Sequence, residues 1–168
     1  NYRASLWDED LARKVITSIF PDVDILFVSE ETSRRMLQRT GTIEEIMKGY
    51  TRDYGIKIVA TTERKATSPT KHTWDSRIYS ASEDKFYKEK PYEDIEVVDR
   101  IGSGDAYVAG VLFGILKYNC LQKALEFGNA MAALKNTVPG DLPACDFKEI
   151  EQIIKSHKKD GVESEMNR

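Results

Sequence analysis

An α/β fold, with helices packed on a sheet, is the class this sequence predicts. Three observations predict it. Apolar residues recur at helical spacing in Leu11, Val15, Ile16, Ile19 and Phe20. Short runs rich in Val and Ile, at residues 23–28 and 56–60, read as buried strands. Strands and helices then alternate along the chain until it closes on helices alone.

Taken in order, residues 8–20 form the first helix, which Pro21 stops. The 23–28 strand follows. Thr42-Ile43-Glu44-Glu45 has the pattern of a capping box, and Gly55 supplies the matching stop. The 56–60 strand comes next. Residues 61–92 are polar and aromatic, with Trp74, Tyr79, Phe86 and Tyr87, and the segments 77–79 and 85–87 predict a hairpin. Glu96-Val97-Val98 leads into a glycine motif. Three helices are predicted after it, over 106–118, 121–135 and 147–157, the last opened by Asp146 with Glu149 three residues on. Residues 1–168 read as one domain, with a frayed tail over 158–168.

The chain has 168 residues, 40 % hydrophobic and 32 % charged, which is an ordinary globular profile rather than a disordered or fibrous one. A net charge of −3 gives no footprint for nucleic acid or an anionic membrane, so neither is expected as a partner. The basic run Lys155-Ser156-His157-Lys158-Lys159 is followed by Asp160, Glu163 and Glu165 and reads as solvated. Cys120 and Cys145 form no CxxC motif, and His72 and His157 have no ligand spacing and read as surface residues. A reducing, cytoplasmic setting without a structural metal is the expectation. The longest apolar run, 106–116, falls far short of a bilayer span.

The segment Gly102-Ser103-Gly104-Asp105 lies between a β-type run and a strongly apolar helix. Two glycines there allow a tight turn and close approach to a ligand. The unpaired N–H groups and dipole at a helix start attract anions. Asp105 places a carboxylate where a phosphate would bind, which suits a base beside a phosphoryl cradle. Spacing alone equally allows a plain turn with Asp105 as its N-cap. The helix beyond carries Ala106, Gly110 and Gly114 four residues apart, a smooth stripe for close packing, and its apolar remainder predicts burial.

Asp99-Arg100-Ile101-Gly102-Ser103-Gly104-Asp105-Ala106 resembles the signature of the ribokinase-like sugar kinases, also called the phosphofructokinase B group. Three more segments resemble its 2-keto-3-deoxygluconate kinase subgroup: Asn1-Tyr2-Arg3-Ala4-Ser5-Leu6-Trp7, Leu26-Phe27-Val28-Ser29-Glu30-Glu31, and Asn129 to Lys135 with Thr137-Val138-Pro139-Gly140-Asp141. The resemblance implies a three-layer α/β/α sandwich and transfer of a phosphoryl group from ATP, with Mg2+, to a sugar acid. It implies Asp105 as general base and Gly102, Ser103 and Gly104 as the anion hole. It assigns Ser29, Thr61, Arg64 and Asn129 to ATP, with 61–64 as a loop over the phosphates or base, and Arg3 and Asp141 to the sugar acid.

A kinase of a neutral sugar, or a nucleotide-binding module without catalysis, are the alternatives. Ser29-Glu30-Glu31-Thr32 departs from the Asn-x-x-Glu motif of the wider family, so that motif's metal-organising role does not transfer. The early sheet strands and lid have no counterpart here, so the sandwich is expected to be incomplete and these residues alone to be poor catalysts. At full length a homo-oligomer is expected.

Overall fold

A computed structural model describes residues 5–68 and 70–166, with side chains as far as residue 159. The elements are α1 (Glu9–Ser18), a 3-10 turn (Phe20–Asp22), β1 (Ile25–Phe27), α2 (Glu30–Arg35), α3 (Ile43–Tyr54), β2 (Ile58–Ser68), β3 (Lys71–Ser80), β4 (Lys85–Lys88), β5 (Tyr92–Glu96), α4 (Ser103–Tyr118), α5 (Leu121–Asn136) and α6 (Phe147–Met166). The strands form a mixed sheet of hydrogen-bonding order β1-β2-β3-β4, with β5 also paired to β3. β1 and β2 are parallel, joined through α2 and α3, whereas β3 and β5 are antiparallel with a register shift between His72 and Trp74. The expected α/β class, with its 77–79 and 85–87 hairpin strands, is present.

The chain contains two compact units interleaved in sequence. The first comprises Asn1–Thr62 and Ile78–Phe86; the second comprises Glu63–Arg77 and Tyr87–Arg168.

In the first unit, Asp8 caps α1 by accepting from the N–H groups of Asp10 and Leu11, and Thr42 with Glu45 closes a complete capping box on α3. Both helices turn apolar faces onto a core of Ala12, Phe20, Met36, Ile46, Met47 and Tyr50. The Tyr50 hydroxyl donates to Ser33 Oγ at 3.0 Å, so its burial leaves no orphan donor. α2 was not expected: six polar residues carry no apolar period, and Ser29 sets the helix by capping it.

In the second unit, α4 packs closely on α5. A Cβ at Gly110 would lie 2.7 Å from the Phe127 carbonyl oxygen, and one at Gly114 2.4 Å from Ala124 Cα. The small-residue stripe read from the sequence therefore does make the crossing. Burial of α4 is one-sided, however: Leu116 is 86 % exposed, and Leu112 and Phe113 are partly so.

Three boundaries move. Residues 61–64, expected as a loop, lie inside β2, because the β-branched Thr61 and Thr62 continue the strand begun at Ile58. α4 starts at Ser103 rather than Ala106. α6, expected to end at residue 157, reaches Met166; Lys158 on it donates to Glu126 Oε1 at 2.7 Å. His157, read as a surface residue, stacks on Tyr92 with ring centroids 3.7 Å apart.

Candidate active site

The glycine turn is built by two segments of the second unit, 97–105 and 135–141. Val97 ends the sheet by donating to Thr70 O at 2.8 Å. The next two N–H groups, of Val98 and Asp99, both go to Asn136 O at the end of α5. Asp99 then holds both segments with one carboxylate: Oδ1 accepts from Ile101 N at 2.9 Å and Oδ2 from Gly140 N at 3.1 Å. These backbone donors, that of Ile101 foremost, with the nearby positive charge of Lys135, hold its carboxyl below the usual carboxylate range.

This clamp delivers the chain to Gly102, the N-cap of α4, at φ +82°. That conformation disfavours side chains, and a Cβ there would fall 1.9 Å from Asp141 O. Glycine is thus required twice, and Asp141 is brought against the turn by its backbone. Ser103 is buried, its hydroxyl donating to Arg100 O at 2.9 Å. Gly104 and Asp105 are exposed in the first turn, where backbone N–H groups have no intrahelical acceptor. Asp105 is at the third helical position and not the N-cap, and α4 has no side-chain cap bond. A plain cap therefore does not account for its carboxylate.

The structure gathers Gly102, Ser103, Gly104, Asp105 and Asp141 into one place. Other expected residues stand differently. Arg3 lies outside the described residues. Ser29, in the first unit, accepts from Thr32 N at 3.0 Å and donates to Thr32 Oγ1 at 2.8 Å. Thr61, also in the first unit, is 3 % exposed with its hydroxyl unpartnered. Arg64 is exposed on β2. Asn129 is 1 % exposed, and its amide is already engaged: Oδ1 accepts from Trp74 Nε1 at 3.1 Å and Ser76 Oγ at 2.6 Å, and Nδ2 donates to Glu89 Oε1 at 2.6 Å.

That network carries a titratable group. Burial, reinforced by the charge of Glu126 and opposed by the Asn129 bond, pushes the Glu89 carboxyl from 4.5 up to about 7. Between those values the folded state holds a proton the unfolded chain has lost. Stability contributed by this group therefore falls as pH rises from 4.5 to 7 and is level above it, a loss of roughly 2–3 kcal/mol. Glu89→Gln stays neutral and can still accept from Asn129. It should raise the urea midpoint at pH 8 and barely change it at pH 5; parallel pH profiles for variant and parent would refute this.

Sequence reasoning singled out neither Asp99 nor Lys135 as a builder of the turn. A usable signal existed for the second: Lys135 continues the buried i, i+4, i+7 row of Gly128 and Ala132, where a lysine is out of place.

Residues 1–146 match the model of the pfkB family carbohydrate kinases. The chain belongs to that family. Among its relatives, the 2-dehydro-3-deoxygalactonokinase of Haloferax volcanii is 31 % identical over 155 residues, covering 92 % of this chain and 45 % of the relative. The crystal structure of 2-dehydro-3-deoxygluconokinase from Thermotoga maritima is 32 % identical and superposes with a TM-score of 0.85, over 92 % of this chain and 48 % of that one. An E. coli chain assigned to ribokinase II, solved with ATP and Mg2+, is 26 % identical with a TM-score of 0.70, over 94 % and 47 %. This pfkB-family chain thus spans about half the length of the relatives it matches, and its fold is ribokinase-like. No helix among the described residues is long and apolar enough to cross a membrane.

Proposed function

We propose that this chain supplies the phosphoryl-transfer part of an ATP-dependent kinase of 2-keto-3-deoxy sugar acids, with Asp105 as general base. The observation that carries this is the exposed Asp105 carboxylate at the third position of α4, beside the capping glycine and free of any capping bond. In the reaction a sugar hydroxyl oxygen attacks the γ-phosphorus of ATP and the bond to the β,γ-bridging oxygen breaks. ADP departs, and the hydroxyl proton passes to the Asp105 carboxylate. The turn at Gly102 and Ser103 orients the N–H groups of the first α4 turn, Gly104 included, towards the transferring group, where unpaired donors and the helix dipole stabilise negative charge.

Arg3 and Asp141 would stand on the sugar side, the guanidinium fork matching the acid carboxylate. The family resemblance assigns Ser29, Thr61 and Arg64 to the nucleotide side. Asn129, fully engaged with Trp74, Ser76 and Glu89, is left to organise that side rather than touch the base. Mg2+ arriving with ATP would be held largely by phosphate oxygens and water.

The sugar acid is supported by the names of the Haloferax and Thermotoga relatives. A 33 % identical ATP-dependent 6-phosphofructokinase of Thermoanaerobacterium thermosaccharolyticum favours a sugar without an acid carboxylate instead. ADP release by the full-length gene product, measured over a panel of acid and neutral sugars, decides between them. The highest kcat/KM is expected for a 2-keto-3-deoxy acid; preference for fructose 6-phosphate or ribose would overturn the substrate.

A further inference from the structure

Lys135 takes no part in the reaction described above, yet it is 0 % exposed, an unusual state for an ammonium group. Its Nζ donates to two main-chain carbonyls, Asp99 O at 3.0 Å and Val138 O at 3.1 Å. Desolvating such a charge is unfavourable by several kcal/mol, and an apolar side chain of similar volume would often pack there at no loss of stability. Fold stability alone is therefore a poor reason for a lysine at this place. Its two acceptors belong to different loops, one entering the Gly102 turn and one leaving α5.

The same loops are joined a second time by the Asp99 carboxylate, which takes the Gly140 N–H. Carbonyl oxygens are thus held by the ammonium and an N–H group by the carboxylate. Just beyond these two ties along both segments, Gly102 lies against Asp141 O, which leaves no space even for a Cβ. Ala106 N closes the first α4 turn onto Gly102 O at 2.8 Å, so the setting of this turn passes directly into the helix that carries Asp105.

We infer that Lys135 is a positioning residue for phosphoryl transfer, an internal cation that locks the 97–102 turn onto the 137–141 loop and fixes where α4 presents Asp105 and its N–H groups. The inference rests on the kinase reading for its catalytic consequence but not for the lock itself. In the full-length gene product, Lys135→Met should lower kcat about 100-fold, as misplacement by about 1 Å can, with both KM values within about threefold. Amide hydrogen exchange at Ile101 and Gly140 should accelerate at least about tenfold, which is the loss of their Asp99 bonds read directly.

Lys135→Ala leaves room for a small amine. Methylammonium chloride should restore rate and amide protection saturably, and sodium chloride should not. Unchanged kcat in Lys135→Met, or a rise in KM alone, overturns the positioning role. If Lys135→Met does not fold, the alanine variant decides, and no recovery at any methylammonium concentration overturns the inference. A parent protein that transfers phosphate to no sugar defeats the kinase reading; exchange at Ile101 and Gly140 then judges the lock separately, and unaltered exchange would sink it.

Discussion

Asp105→Asn in the full-length gene product is expected to lower kcat by about 10³-fold while ATP affinity stays within a few-fold. Asparagine keeps the shape and removes only the proton acceptor. Stability should hardly respond, because the carboxylate makes no cap bond on α4 and contributes only its interaction with the helix dipole, about 0.5 kcal/mol. The measurement is steady-state ADP release, together with nucleotide titration and a urea curve on the same preparations. A rate within tenfold of the parent would remove Asp105 as the base. A large loss of stability would instead make it a structural residue, and the first turn of α4 would need a different account.

Gly102→Ala is expected to act through the backbone and to damage both properties. The residue sits at φ +82°, a conformation that disfavours alanine by about 1–2 kcal/mol. The added methyl group would also meet Asp141 O at 1.9 Å, so the 137–141 loop must move away. Together these predict a stability loss of about 3 kcal/mol and a fall in kcat/KM of about 100-fold. The contrast with Asp105→Asn is the informative part: one variant should lose rate alone, the other rate and stability together. Gly102→Ala with the parent's urea midpoint would show that the turn is not held as tightly as the Asp141 contact implies.

Much of the fold was legible because local chemistry and tertiary packing agree. Asp8, the Thr42–Glu45 box and Gly55 mark helix ends in sequence and serve as caps in the structure. The glycine motif was legible as a turn that opens a helix, and Gly110 and Gly114 of the small-residue stripe announced a close helix crossing. What escaped depended on contacts distant in sequence. Residues 61–64 continue β2, which neighbours β3 in the sheet, although Glu63-Arg64-Lys65 carries no strand pattern of its own. The bond of Lys158 to Glu126 joins residues 32 apart in sequence, and no local pattern announces it. Asn129, which the resemblance assigns to ATP, bonds to Trp74, Ser76 and Glu89, 40–55 residues upstream, and no local pattern announces that network. Leu116 shows the converse error, since apolar composition predicted a burial that one face of α4 does not have.

The interleaved units have a practical consequence in optical spectroscopy. The chain has two tryptophans, and each unit contains one. Trp7 packs against the core of the first unit, while Trp74 is buried in the second with its indole N–H bonded to Asn129. Each unit therefore has its own intrinsic fluorophore. Replacing either by phenylalanine leaves an emission signal belonging to a single unit, and two such curves in urea would show whether they melt as one cooperative body or in succession.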